Sequence, residues 1–215
     1  GEFSIEYPVW VKDRSVTSAN KDDVFGDGTV KYEPASEGKR AKLTLNGVNF
    51  SVNAGDFMPG SEYGCIMASE EMDINLQGNN VINIKTGEAS NVSGLVGMYV
   101  MGDINISGGG SLGININTEI CDEHLSGIAG IVCGYNSTFQ DVNITINMQG
   151  FAGGASGIFT HPTIPNEFYG LKIINSDINI KSWVGYNDKL PIVGDKQIIL
   201  INPINMCTIE SSKIN

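Results

Sequence analysis

Asp103-Ile104-Asn105-Ile106-Ser107-Gly108-Gly109-Gly110-Ser111-Leu112-Gly113-Ile114-Asn115-Ile116-Asn117-Thr118 decides the fold. Ile104 and Ile106, then Ile114 and Ile116, alternate with polar residues, the period-two mark of strands with one buried face. Between the two runs, Ser107-Gly108-Gly109-Gly110 supplies the positive-φ positions that a sharp corner needs. The stretch therefore reads as strand, corner and strand.

The same alternation extends in both directions. Leu43 and Leu45, then Val48, Phe50 and Val52, precede it, with Ile74 and Leu76 between. Val142 through Met148, and Ile178 and Ile180, follow. No comparably long segment has helical spacing.

A longer repeat lies over the alternation. Apolar glycine runs open at Gly64, Gly94, Gly127, Gly157 and, less clearly, Gly185, spaced 30, 33, 30 and 28 residues apart. Strands reading Asp73-Ile74-Asn75, Asp103-Ile104-Asn105, Asp141-Val142-Asn143 and Asp177-Ile178-Asn179 keep step with them. Two or three strands cannot enclose a core alone, so each unit must bury its apolar edge by coiling onto the next. The expected architecture is all-β: a single-stranded right-handed parallel β-helix, or solenoid, of about five or six turns. In that reading Ile104, Val142 and Ile178 share an interior column. The rival, a β-sandwich, explains the strands but not the phased repeat, and Asn46-Gly47 is the lone Asn-Gly hairpin signal. Residues 1–40 fall outside the repeat and read as N-terminal capping strands, with 41–215 as the β-helix in one structural domain.

Composition narrows function. The chain is 41% apolar, 17% charged and carries 27 glycines in 215 residues, a profile of tight turns rather than disorder or helical bundles. Its net charge of −11 repels a phosphate backbone, so nucleic acid is not an expected partner. Arginine stops at Arg40, leaving the repeat without a guanidinium fork for bidentate anion recognition; cations or neutral sugars are the better candidate ligands. Cys65, Cys121, Cys133 and Cys207 show no zinc spacing; buried free thiols are expected, with a disulfide as the alternative. No stretch is long enough to span a membrane, and a chain starting at Gly1 carries no information on a signal peptide.

Tyr7-Pro8-Val9-Trp10-Val11, Val16 to Val24, Gly26-Asp27-Gly28-Thr29-Val30-Lys31-Tyr32 and Lys42 to Val48 resemble a recurrent module of secreted surface proteins from Gram-positive gut bacteria. That module is similar to carbohydrate-binding β-helix domains of the clostridial type, related in fold to pectate lyases. The likeness is close over about the first 50 residues and one of style beyond. Here Ala35-Ser36-Glu37-Gly38-Lys39-Arg40 replaces the usual short turn before Lys42. The resemblance implies a secreted or cell-surface role in binding polysaccharide or in adhesion, with Ca2+ as the candidate cofactor.

Three constellations are candidates for chemistry. Stacked Asp-x-Asn strands would bring Asp73, Asp103, Asp141 and Asp177 into a carboxylate column, whose repulsion a calcium ion relieves; the alternative is a solvated outer face with Asn ladders. Trp183 and Tyr186 are the leading candidates for stacking on a sugar ring, with Tyr99 and Tyr135 extending the platform; the alternative is that these rings cover the coil's end or fill loops. Lys172 and Lys181 around Asp177 form the one base–carboxylate grouping a lyase could use, while His124 and His161 lie in no nucleophile motif. Asp22, Asp23 and Asp27 lack calcium-loop spacing and read as turn formers. The expected function is thus a non-catalytic polysaccharide-binding unit, with acidic glycans held through calcium as the candidate ligand, monomeric within a larger surface protein, with an adhesive spacer as the alternative and a lyase behind both.

Overall fold

The computed structural model describes residues 3–54, 62–86, 92–118, 125–134, 136–161, 170–185, 197–200 and 206–215. Three strands lead: β1 (Glu6–Val11), β2 (Arg14–Thr17) and β3 (Val30–Glu33). Groups of three follow: β4 (Ala41–Asn46), β5 (Asn49–Asn53) and β6 (Glu62–Ala68); β7 (Met72–Gln77), β8 (Asn79–Lys85) and β9 (Gly94–Val100); β10 (Ile104–Ser107), β11 (Ser111–Thr118) and β12 (Gly127–Gly134). Then come β13 (Thr138–Gln140), β14 (Asn143–Phe151) and β15 (Ala155–His161); β16 (Gly170–Ile174), β17 (Asp177–Gly185) and β18 (Gln197–Leu200); and finally β19 (Met206–Glu210) and β20 (Lys213–Ile214).

Each group of three contributes one strand to each of three sheets whose strands stack in parallel, so the chain coils as a β-solenoid. Sheet one stacks β4, β7, β10, β13, β16 and β19; sheet two stacks β5, β8, β11, β14, β17 and β20; sheet three stacks β6, β9, β12, β15 and β18. The five parallel strands of sheet three enclose four complete turns, fewer than the five or six expected. No α-helix occurs among the described residues.

Interior columns run from strand to strand. In sheet two Phe50, Ile82, Ile114, Ile146 and Ile180 stack in register, and all are buried. In sheet one Leu43, Ile74, Ile106, Phe139 and Ile173 do the same. Burying each such side chain is worth roughly 1.5–3 kcal/mol. The four ion pairs among the described residues are all partly exposed, at about 0–1 kcal/mol each, so the columns hold the stack together.

The registers correct the expected interior column. Ile104 stacks on Met72 in sheet one, Ile178 stacks on Ile144 in sheet two, and Val142 sits in the corner before β14. Both sheets carry alternating strands with Asp-x-Asn openings, so the motif marks no single position in the coil. Glycine anchoring slipped as well: Gly94 pairs with Gly127, but Val96 pairs with Gly64.

Sheet three explains the glycines. Pairs Val96–Ala129 and Met98–Ile131 flank Gly97 and Gly130, and Ala129–Ser156 and Ile131–Ile158 place Gly157 in the same column. Leu95 and Met98 belong to the interior cluster, whereas Val96 lies in a separate cluster with Ala129 and Val132. Strict alternation therefore breaks at the glycine, and two adjacent residues turn inward. A Cβ on Gly97 would meet Ile114 Cγ2 at 2.5 Å and Gly130 O at 2.7 Å; one on Gly130 would meet Ile146 Cγ2 at 2.6 Å and Gly157 O at 2.7 Å. The missing side chains let sheet three lie close against the isoleucines of sheet two.

Buried polar side chains complete the corners. Asn80, 0% exposed, accepts from the Val48 N–H at 3.1 Å and donates to Gln77 O and Ser111 O, both at 3.1 Å. Ser137 Oγ accepts from the Ile104 N–H and donates to Gly134 O; Ser176 Oγ accepts from the Val142 N–H and donates to Ile174 O. Peptide groups that the turning strand leaves unpaired are satisfied in this way.

The N-terminal segment closes one end. β3 runs antiparallel on β4, β1 runs antiparallel on β6, and the Phe25 ring packs against Phe50 of β5 at 5.4 Å under the Arg14 guanidinium. Tyr32 is buried against Tyr7 and donates its hydroxyl to Glu70, which ties this segment to the second coil. Asp23 Oδ1 accepts three backbone N–H bonds, from Gly26, Asp27 and Gly28, and the Thr29 hydroxyl bonds Asp27 and holds its carboxyl below the usual range. These carboxylates form a turn.

Cys65 and Cys133 are free and buried. Cys121 lies outside the described residues, and Cys207 is placed through its backbone pairing with Leu171. Burial pushes both described thiols up to about 12. At pH 8 the native protein should leave the Cys65 and Cys133 peptides unalkylated by iodoacetamide, as read by mass spectrometry, and denaturant should release both.

Candidate carbohydrate-binding face

The outer face of sheet two is largely polar. Inward Ile178 and Ile180 fix the alternation of β17, so Asp177, Asn179, Lys181 and Trp183 point out, and Trp183 is 69% exposed. Registers extend each of these residues into a column. Asn53, Lys85, Asn117, Gln149 and Trp183 form one; Ser51, Asn83, Asn115, Asn147 and Lys181 form its neighbour.

The second column is a hydrogen-bonded amide ladder. Asn147 Nδ2 donates to Asn115 Oδ1 and Asn115 Nδ2 to Asn83 Oδ1, each at 2.9 Å, and Asn83 Nδ2 reaches Phe50 O at 3.4 Å. Every amide faces the same way, which rigidifies the plate and leaves the acceptor end of the ladder beside Lys181. Strand spacing of about 4.8 Å sets the distance between rungs, and residues i and i+2 lie roughly 6–7 Å apart along each strand. Gly113 and Val81 are the non-polar positions of the column between the ladder and Asn79, Ser111 and Asn143.

The carboxylates expected to stack do not. Asp73 lies in sheet one between Lys42 and Asn105, and accepts from Asn105 Nδ2 at 2.9 Å. Asp103 precedes β10 and accepts from the Asn136 N–H; Asp141 occupies a positive-φ corner; Asp177 pairs with Asn143 and Lys213 in sheet two. No two of these four are neighbours in one column, so a calcium-bridged column has no geometric basis. Among the described residues, no group of three or more His, Cys, Asp or Glu side chains is placed to hold a metal. Lys172 is on the outer face of sheet one and Lys181 on that of sheet two, so the grouping with Asp177 is not assembled.

The aromatic candidates separate too. Tyr186 and Tyr135 lie outside the described residues. Tyr99 is on the outer face of sheet three, stacked with His161 at 6.4 Å and 17° while His161 Nε2 meets Val100 O at 3.2 Å. It belongs to a column with Trp10, Met67, Val132 and Phe159. Trp10, 41% exposed, was not a candidate from sequence, although inward Val9 and Val11 on either side already turn it outward.

Fold and face together define a parallel β-solenoid with an amide-lined sheet that carries an exposed tryptophan. Comparison with family models, with curated proteins and with solved structures returns no match.

Proposed function

We propose that the protein is a non-catalytic, secreted or cell-surface polysaccharide-binding module that engages an extended glycan on the outer face of sheet two. The observation that carries this reading is Trp183, exposed at one end of a column of Lys85, Asn117 and Gln149 beside the amide ladder. A pyranose has an apolar face that stacks on an indole and an equatorial rim of hydroxyls that seek amide partners. A sheet whose amides are fixed by register presents both without ordering loops on binding, which limits the entropic cost of association.

The adhesive-spacer reading is the alternative, and a glycan array probed with the full chain separates the two. Wild type should bind at least one polysaccharide, and Trp183→Ala should weaken that binding about 10- to 30-fold with an unchanged thermal melt. Absence of binding across the array would favour the spacer, and binding indifferent to Trp183→Ala would move the glycan off this face.

A further inference from the structure

The charges on this face point to the class of glycan. The chain carries −11 overall, yet among the described residues the outer face of sheet two holds Lys85, Lys181 and Lys213 against Asp177, a local excess of two positive charges. Near the N-terminal end, Lys21, Lys31, Arg40 and Lys42 are all engaged with carboxylates. Lys85 and Lys181 make no ion pair among the described residues. Two lysines without an ion pair among the described residues thus share the outer face that carries Trp183, the more exposed of the two tryptophans.

Lys181 and Trp183 leave the same side of β17 two residues apart, a separation of roughly 6–7 Å. Lys85 lies in the tryptophan's column three strands away, which is about 14 Å at the normal strand spacing. We infer that, on the polysaccharide-binding reading above, the ligand is an anionic glycan lying across the strands of sheet two. One sugar ring stacks on Trp183, its acidic substituent meets the Lys181 ammonium, and an acidic group further along the chain meets Lys85. Direct contact with lysine replaces the calcium bridge that acidic glycans otherwise need at a carboxylate-rich surface. An ammonium is a point charge with three rotatable donors, so it accepts a carboxylate or a sulfate without demanding a fixed fork geometry.

The test compares polymers that differ only in charge: polygalacturonate against its methyl ester, and dextran sulfate against dextran, each titrated into the full chain with and without EDTA. The acidic member of at least one pair should bind about tenfold more tightly than its neutral partner, with EDTA making no difference. Which pair shows the preference distinguishes carboxylate from sulfate. Lys181→Gln should remove most of that preference and Lys85→Gln part of it, while both variants keep the wild-type melting temperature. Equal binding of charged and neutral partners, a preference that survives the double Lys→Gln variant, or one abolished by EDTA overturns the inference and leaves the polysaccharide reading standing. Failure of wild type to bind any glycan overturns both.

Discussion

Gly150→Ala is expected to cost about 4 kcal/mol of stability and to lower the melting temperature by about 10 °C, read by circular dichroism. Two penalties add at this position. Gly150 has φ +116°, a conformation that L side chains rarely adopt, and a Cβ there would stand 2.0 Å from the carbonyl oxygen and 2.2 Å from the hydroxyl of Thr118, its partner in the preceding coil. Strained backbone costs roughly 1–3 kcal/mol, and a clash against backbone in a packed stack costs a similar amount. The main obstacle is the main chain of the neighbouring strand in the preceding coil, so it can yield only by separating two coils. Gly154 is the control: a Cβ there meets nothing within 4 Å, and Gly154→Ala should leave the melt within about 1 °C of wild type. Equal effects at both positions would show that the coils tolerate far more separation than the register implies.

The second large effect is expected at Asn80. Asn80→Ala removes one acceptor and two donations at a site of 0% exposure, leaving the Val48 N–H and the carbonyls of Gln77 and Ser111 short of partners. Each stranded polar group costs about 1–3 kcal/mol, so a loss of about 3 kcal/mol is expected. Asn80→Leu decides whether packing or hydrogen bonding matters. Asn80 stands at the base of the column Leu112, Ile144 and Ile178, so leucine extends that apolar column but repairs none of the three bonds. It should therefore be destabilising too, with faster hydrogen exchange at the Val48 amide; a neutral Asn80→Leu would defeat this account of the corner.

Strands and stacking were legible because both depend on short-range pattern. Ile114 and Ile116 read inward from alternation alone, and a unit too small to bury its own edge has to coil. Register was not legible. The coil lengthens along sheet one, since the intervals from Leu43 to Ile74, Ile106, Phe139, Ile173 and Ile209 rise from 31 to 36 residues, so no fixed period stays in phase. Strands of sheets one and two also look alike, which sent Asp103 and Asp177 into an imagined common column. Sheet three defeats alternation by turning two neighbours inward beside Gly97 and Gly130, and its sequence then looks merely apolar.

At the candidate face, Trp183 could be placed by local alternation, but the ladder of Asn83, Asn115 and Asn147 could not. Those three residues are 32 positions apart, and their meeting follows only from the register of Ile82, Ile114 and Ile146. That Lys85 and Lys181 make no ion pair among the described residues was equally hidden, because it depends on which carboxylates the coil places elsewhere.

Antiparallel β1 and β3 have a consequence for how the molecule behaves at high concentration. Parallel stacks of near-identical rungs are templates for one another, and an open end invites coaxial addition of a second molecule and growth into fibrils. At this end an arriving coil meets strands running the opposite way on β4 and β6, with the Phe25 ring seated over β5, so the ladder polarity cannot continue. Removing the segment through Glu33 would restore a propagating template, and such a truncation should form thioflavin-positive assemblies under conditions where the intact chain does not.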